Sequence, residues 1–374
     1  MKRDSSESNN FYGVLSKAGE KPKGYCHYTS LSNLLTMLND YSSGDKTNPE
    51  NCHLVFFASQ AQFLNDFMEH KEGVCFCQNF FKTKRFRQTL KSMHLGTHPA
   101  RDLHILAEGK NLKQLVENNS AYGDVFVSCF CEQPNLLSQW AGYGQAEGDT
   151  GVSIEFDFPE DGLEFKYESS NPKSTFNGQT VTLSPFKVCY DEAERNAFVE
   201  KVASELVLRP DIFEECGELS YISALLEICV PYIKNAGFSQ EQESRLVFFP
   251  PAGAKIGYRI RRNMIVPSVK LEVSYSDKRR LPIKRIIIGP STTQIQIMSA
   301  LLDILEPNND NEKCTGLSIL REYESKKSSI SKTKKRSDQV SPFVLFCDSE
   351  RGLISAKTSN GIIVSLSDLP LRTK

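Results

Sequence analysis

Apolar positions along the chain recur with two periods, near 3.6 and near 2, and the switches between them give an order of elements. Tyr25 to Thr29 reads as a strand. Leu31, Leu34, Leu35 and Leu38 then fall at i, i+3, i+4 and i+7, which predicts a helix capped by Thr29 or Ser30. His53 to Ser59 carries Leu54-Val55-Phe56-Phe57 and predicts a second strand, with a helix or tight turn opening over Phe63 to Glu69. Residues 80–118 mix basic and apolar positions and predict helix, broken near Gly96 to Pro99. Asp124 to Cys131 predicts a buried strand, and Asn135 to Tyr143 a helix. In Gly151 to Phe158, Val152, Ile154, Phe156 and Phe158 alternate with Glu155 and Asp157, so a half-buried strand with one wet face is expected.

Asp191 and Glu194 are spaced as a capping box for a helix through Leu208, stopped by Pro210. A further helix is expected over Leu219 to Asn235, kinked at Pro231 and ended by Gly237. Strands follow at Arg245 to Phe249, Met264 to Tyr275 and Lys284 to Ile288, then Gly289-Pro290-Ser291 and a helix over Thr292 to Leu305. Three short strand-like runs lie between Pro342 and Leu371, with Asn360-Gly361 as a hairpin turn. This irregular alternation argues for an α+β fold, not a doubly wound parallel sheet. It divides the chain into a polar segment 1–22, a main domain 23–320, a basic linker 321–341 and a C-terminal β extension 342–374.

Charge and cysteine usage narrow the setting. A formal net charge of -1 leaves no global field to draw in nucleic acid, so any such contact needs a local patch. The serine-rich stretch with Lys326, Lys327, Lys332, Lys334, Lys335 and Arg336 reads first as a solvated linker and second as a nucleic-acid contact. No apolar run approaches the ~20 residues of a membrane span, and Met1 to Asn10 lacks the apolar stretch of a secretory signal. No membrane partner is therefore expected. Eleven cysteines, an odd count, point to free thiols in a reducing cytoplasm.

Two stretches carry candidate chemistry. His27 stands directly before a helix start, and Glu241 and Glu243 stand at i and i+2 before Leu246-Val247-Phe248-Phe249. Placed on one face of a strand, two carboxylates this close raise one another's proton affinity, which suits acid–base work. The competing structural reading has both glutamates pairing with Arg245 and other basic groups, and His27 capping the helix. Asn65, Asp66 and Glu69 form a polar knot that either caps a helix or lines a pocket mouth. The Cys75/Cys77 and Cys129/Cys131 pairs enclose an aromatic residue, as strand alternation would, and lack the Cys-x-x-Cys spacing of zinc sites. His94 and His98 are interrupted by Pro99, His104 follows at a distance, and no metal is expected. Dinucleotide, P-loop and serine-hydrolase motifs are absent.

Several patterns recur in a set order: His27-Tyr28-Thr29; Phe57-Ala58-Ser59 with Phe63-Leu64-Asn65-Asp66 and Glu69; Val127-Ser128-Cys129-Phe130; Gln139-Trp140-Ala141-Gly142-Tyr143-Gly144 leading to Gly151-Val152-Ser153-Ile154-Glu155-Phe156; Glu241-x-Glu243-x-Arg245; and Ile286-Ile287-Ile288-Gly289-Pro290. Over roughly residues 25–320 this order resembles the bacterial domain-of-unknown-function family 2971. That family is in turn distantly similar to the ADP-ribosyltransferase fold, a split antiparallel sheet flanked by helices. The resemblance implies an NAD site with His27 and Thr29 at the ribose, Tyr143 on the nicotinamide, Glu243 at the anomeric carbon, and Glu241 at an acceptor. Asn65, Asp66 and Arg245 would line it. It implies NAD as substrate, a protein or nucleic-acid acceptor (or water), and the role of a toxin or anti-phage effector with a controlling partner or antitoxin. The alternative is a non-catalytic nucleic-acid or protein-binding module on the same fold. A weaker third reading places a divalent ion among Glu241, Glu243 and Asp66 in a phosphodiester enzyme.

Overall fold

The computed structural model describes residues 5–38, 54–64, 67–86, 125–143, 150–170, 179–209, 217–261, 264–274, 281–305, 346–347, 353–358 and 361–369. In chain order the helices are α1 (Ser5–Ala18), α2 (Leu31–Met37), α3 (Phe67–Phe81), α4 (Leu137–Tyr143), α5 (Glu192–Val207), α6 (Gly217–Cys229) and α7 (Gln294–Leu305). The strands are β1 (Cys26–Ser30), β2 (Val55–Gln60), β3 (Phe126–Cys131), β4 (Gly151–Phe156), β5 (Leu163–Tyr167), β6 (Gln179–Leu183), β7 (Phe186–Lys187), β8 (Glu243–Phe248), β9 (Gly257–Arg261), β10 (Met264–Ser274), β11 (Ile283–Ile288), β12 (Phe346–Cys347), β13 (Ile354–Lys357) and β14 (Ile363–Leu366). The expected mixture of helices and mostly antiparallel strands is found. The chain forms two units, both discontinuous in sequence.

The first unit comprises Met1–Pro22, Phe57–Cys129 and Asp161–Leu271. Its core is largely helical. Phe11, Val14, Leu15 and Ala18 of α1 pack with Phe198, Val199, Val202 and Leu206 of α5 and with Leu225, Leu226 and Cys229 of α6. The α1 residues are spaced i, i+3, i+4 and i+7, and those of α5 and α6 recur at intervals of one, three and four, so one stripe of each helix is buried. The capping box on α5 forms as expected: Asp191 accepts from the Glu194 N–H at 2.8 Å while the Glu194 carboxylate accepts from Asp191 N–H. The predicted long helix 219–235 ends instead at Cys229. Pro231 turns the chain into a 3-10 segment, Val230–Tyr232, because proline has no N–H to continue the ladder. Another 3-10 segment, Ala236–Glu241, leads into β8, which pairs antiparallel with β7 and also borders β3.

The second unit comprises Lys23–Phe56, Phe130–Glu160 and Glu272–Lys374. Its strands run β12-β13-β14-β11-β4-β1, with α2, α4 and α7 packed against them. All neighbours are antiparallel except β11 and β14, which run parallel from Arg285↔Ile363 to Ile288↔Leu366. The expected hairpin near Gly361 joins β13 to β14, and Gly361 has a φ of 92°, which favours glycine.

The expectation of a half-wet β4 is corrected. All six residues of β4 are buried, Glu155 included, because β1 and β11 flank it on both edges and both of its faces are covered. Glu155 accepts from Nε of the fully buried Arg285 at 3.3 Å, and Arg285 also donates to Ser365 Oγ at 3.2 Å. Lys284 adds an ion pair at 3.5 Å. The pairing explains how a carboxylate sits inside the sheet: a buried charge persists only with its partner.

Candidate functional site

The start of β8 is the most charged buried place among the described residues. Glu243 and Arg245 are two apart on one strand and therefore share a face. Arg245 grips its neighbour with two nitrogens, Nε to Oε1 at 2.9 Å and Nη2 to Oε2 at 3.0 Å. The same guanidinium pairs with Glu69, from the first turn of α3, and donates to the Pro231 carbonyl at 2.5 Å. Lys234 enters from the chain after the 3-10 segment, where a β-bridge between Cys189 and Ile233 fixes the backbone. Its ammonium meets Glu241 at 2.6 Å, Glu243 at 2.8 Å and Glu69 at 3.5 Å. Phe238 faces the same ammonium at 5.1 Å. The Glu243 N–H donates to the Tyr190 hydroxyl at 2.8 Å.

Burial alone would raise the pKa of Glu243, but Arg245 and Lys234 overcome that and hold it at about 2. Burial would likewise discharge Lys234, and Glu243 with Glu69 keeps it protonated well above the ordinary lysine value. The Cys129 thiol is pushed upward, by burial first and by Glu243 second, so it stays protonated. The expectation that Glu241 and Glu243 raise each other's proton affinity is thus corrected at Glu243: two cations outweigh the neighbouring acid. The expectation that both stand on one strand face is corrected too. Glu241 ends a 3-10 segment, and Gln242 takes a left-handed conformation (φ 45°, ψ 46°) before β8 begins. That turn brings the Glu241 carboxylate back to Lys234 from outside.

The five side chains divide by exposure. Glu69, Lys234, Glu243 and Arg245 are buried, whereas the Glu241 side chain is 34% exposed. Three carboxylates against two cations leave one negative charge in excess. Since both Glu243 oxygens are occupied and Glu241 is engaged through Oε2 alone, the excess charge has its outlet at Glu241. Beside it, Arg195 pairs with Glu72 at 3.5 Å and donates to the Lys234 carbonyl, and Asn235 donates to Glu72 at 3.1 Å.

The remaining expected residues lie as follows. His27 belongs to the second unit, on β1 opposite Ile154. Strand alternation puts it among phenylalanines, with ring centroids at 5.6 Å to Phe130 and 6.2 Å to Phe56. Tyr28 points the other way, packs on Trp140 at 4.8 Å and donates to the Gln133 carbonyl at 2.8 Å. Ser30, and not His27, caps α2 through a bond from the Asn33 N–H. Thr29 is buried opposite Val152. Tyr143 ends α4, and Asn65 and Asp66 lie outside the described residues, as do His94, His98, His104, the basic stretch 326–336 and Asn360. Cys75-Phe76-Cys77 is helical and not a strand, so Cys75 is exposed and Cys77 buried. Among the described residues the cysteines are free thiols, no group of three or more His, Cys, Asp or Glu is placed to hold a metal ion, and no helix is long and apolar enough to cross a membrane.

Lys234 and Glu69 were not singled out as partners of the Glu-x-Glu-x-Arg motif. Glu69 belongs to the polar knot but is 176 residues from Arg245, and Lys234 stands alone after an apolar helix with no local mark.

Residues 139–246 match the model of a family described as "Protein of unknown function (DUF2971)". The match runs from Gln139, beside Trp140, to Leu246, just past Arg245, and so takes in both motifs that most strongly carried the resemblance. No curated protein and no solved structure matches the chain.

Proposed function

We propose that the chain consumes NAD, cleaving the nicotinamide–ribose bond and passing ADP-ribose to a macromolecule or to water, with the charged cluster at the start of β8 as its anionic centre. Such cleavage passes through an oxocarbenium-like state, which a fixed carboxylate stabilises. The observation that supports this reading is the pairing of a locked inner carboxylate with an outer one. Glu243 is neutralised by Arg245 and Lys234 and serves as the anchor. Glu241 carries the excess charge to the surface and is the group we assign to the ribose. Lys234 holds the Glu241 carboxylate in place through an ion pair at 2.6 Å, and the role we assign to it is electrostatic.

Incubating the purified protein with NAD and following nicotinamide release tests the reading. Release that falls about a hundredfold or more in Glu241→Gln, with an unchanged urea midpoint, is the expected result. Absence of release, with or without cell extract as a source of acceptor, removes the reading.

A further inference from the structure

In the first unit, β9 and β10 form an antiparallel ribbon in which Tyr258 opposes Pro267 and Ile260 opposes Ile265. These four residues share one face, and it is open to solvent: Ile260 is 83% exposed, Tyr258 73% and Ile265 68%. Monomeric proteins rarely leave such side chains together in water. The opposite face carries Arg259 and Arg261, and Arg259 lies over the Phe57 ring at 4.0 Å, which pins the ribbon to the body of its unit. Between Pro251 and Leu271 the chain has five basic residues, Lys255, Arg259, Arg261, Arg262 and Lys270, and no acidic one, although its net charge is -1. Among the described strands β9 pairs with β10 alone, so its other edge offers backbone N–H and C=O groups.

Each possible occupant meets these facts differently. A second copy added edge to edge would set arginine beside arginine, which like charges disfavour. A bilayer supplies no hydrogen-bond partners for an open strand edge. Single-stranded nucleic acid binds through aromatic platforms, and Tyr258 is the only aromatic residue on the exposed face. A strand of alternating apolar and acidic residues satisfies all three features at once: its backbone pairs with β9, its apolar side chains cover Tyr258 and Ile260, and its carboxylates meet Arg261. We infer that β9 is the docking edge for such a strand, donated by a partner protein through β-strand addition. This inference is independent of the proposed NAD chemistry.

The probes are two extended ten-residue peptides, one alternating valine with glutamate and one alternating valine with lysine, titrated by fluorescence anisotropy against the full chain. The expected result is saturable binding of the acidic peptide only, with slowed hydrogen exchange at β9 amides. Arg261→Glu should weaken that binding tenfold or more and let the lysine peptide bind, while Ile260→Asp abolishes binding of the acidic peptide. Ile260 is exposed, so a matching thermal melt is expected for that variant. Binding of both peptides alike, or of neither, overturns the inference. So does dimerisation lost in Ile260→Asp, or binding of oligothymidylate or phosphatidylserine vesicles in place of the acidic peptide.

Discussion

At the scale of single residues, the cluster at β8 shows why a carboxylate's role depends on its partners more than on its spacing. Glu241 and Glu243 look equivalent in sequence, yet one is sealed between two cations and the other reaches solvent. Removing the charge from Lys234 tests the distinction. Lys234→Met leaves Glu243 and Glu69 with Arg245 as their remaining cation and should cost about 3–5 kcal/mol in urea unfolding. Glu241→Gln, at the exposed end, should cost less than about 1 kcal/mol. Acid provides a second check. Glu243 is held at about 2 against an ordinary value of 4.5, so its contribution is complete above about pH 4.5 and is lost as pH falls through about 2. It amounts to on the order of 3 kcal/mol, read as a falling urea midpoint across that window that flattens in Arg245→Met. The Glu-x-Glu-x-Arg motif was legible as a charged site. Its third carboxylate and its lysine were not, because contacts across the fold leave no periodic trace in the sequence.

At the scale of elements, periodicity found most helices and strands, usually to within a few residues. It failed where a polar residue was buried. Glu155 reads as the wet side of an alternating strand, and Arg285, 130 residues away, with Lys284 beside it, makes its burial tolerable. It also passed over α1, whose first residues are polar, although Phe11, Val14, Leu15 and Ala18 carry a clear helical stripe. The alternation Tyr258-Arg259-Ile260-Arg261 likewise marks a strand that was not predicted. Two substitutions gauge what these elements contribute. Leu15→Ala should lower unfolding free energy by about 2–5 kcal/mol, since α1 is stitched to α5 and α6 by that stripe. Asp191→Ala removes one half of the capping box and should cost about 1 kcal/mol. Denaturant titration resolves both.

At the scale of the whole molecule, sequence neighbours and structural neighbours part company. The matched segment 139–246 draws β4 from the second unit and β5 to β8 from the first. Expressed alone, it would leave β4 without β1 and β11 and α5 without α1. That fragment should therefore give no cooperative thermal transition by circular dichroism, whereas the full chain should. The parallel seam between β11 and β14 bears on how the protein is made. Ile283–Ile288 leaves the ribosome well before Ile363–Leu366, and until then an isoleucine-rich edge stands without its neighbour. Newborn chains should consequently lean on chaperones late in translation, and slowing synthesis between these two points should increase the yield lost to aggregates.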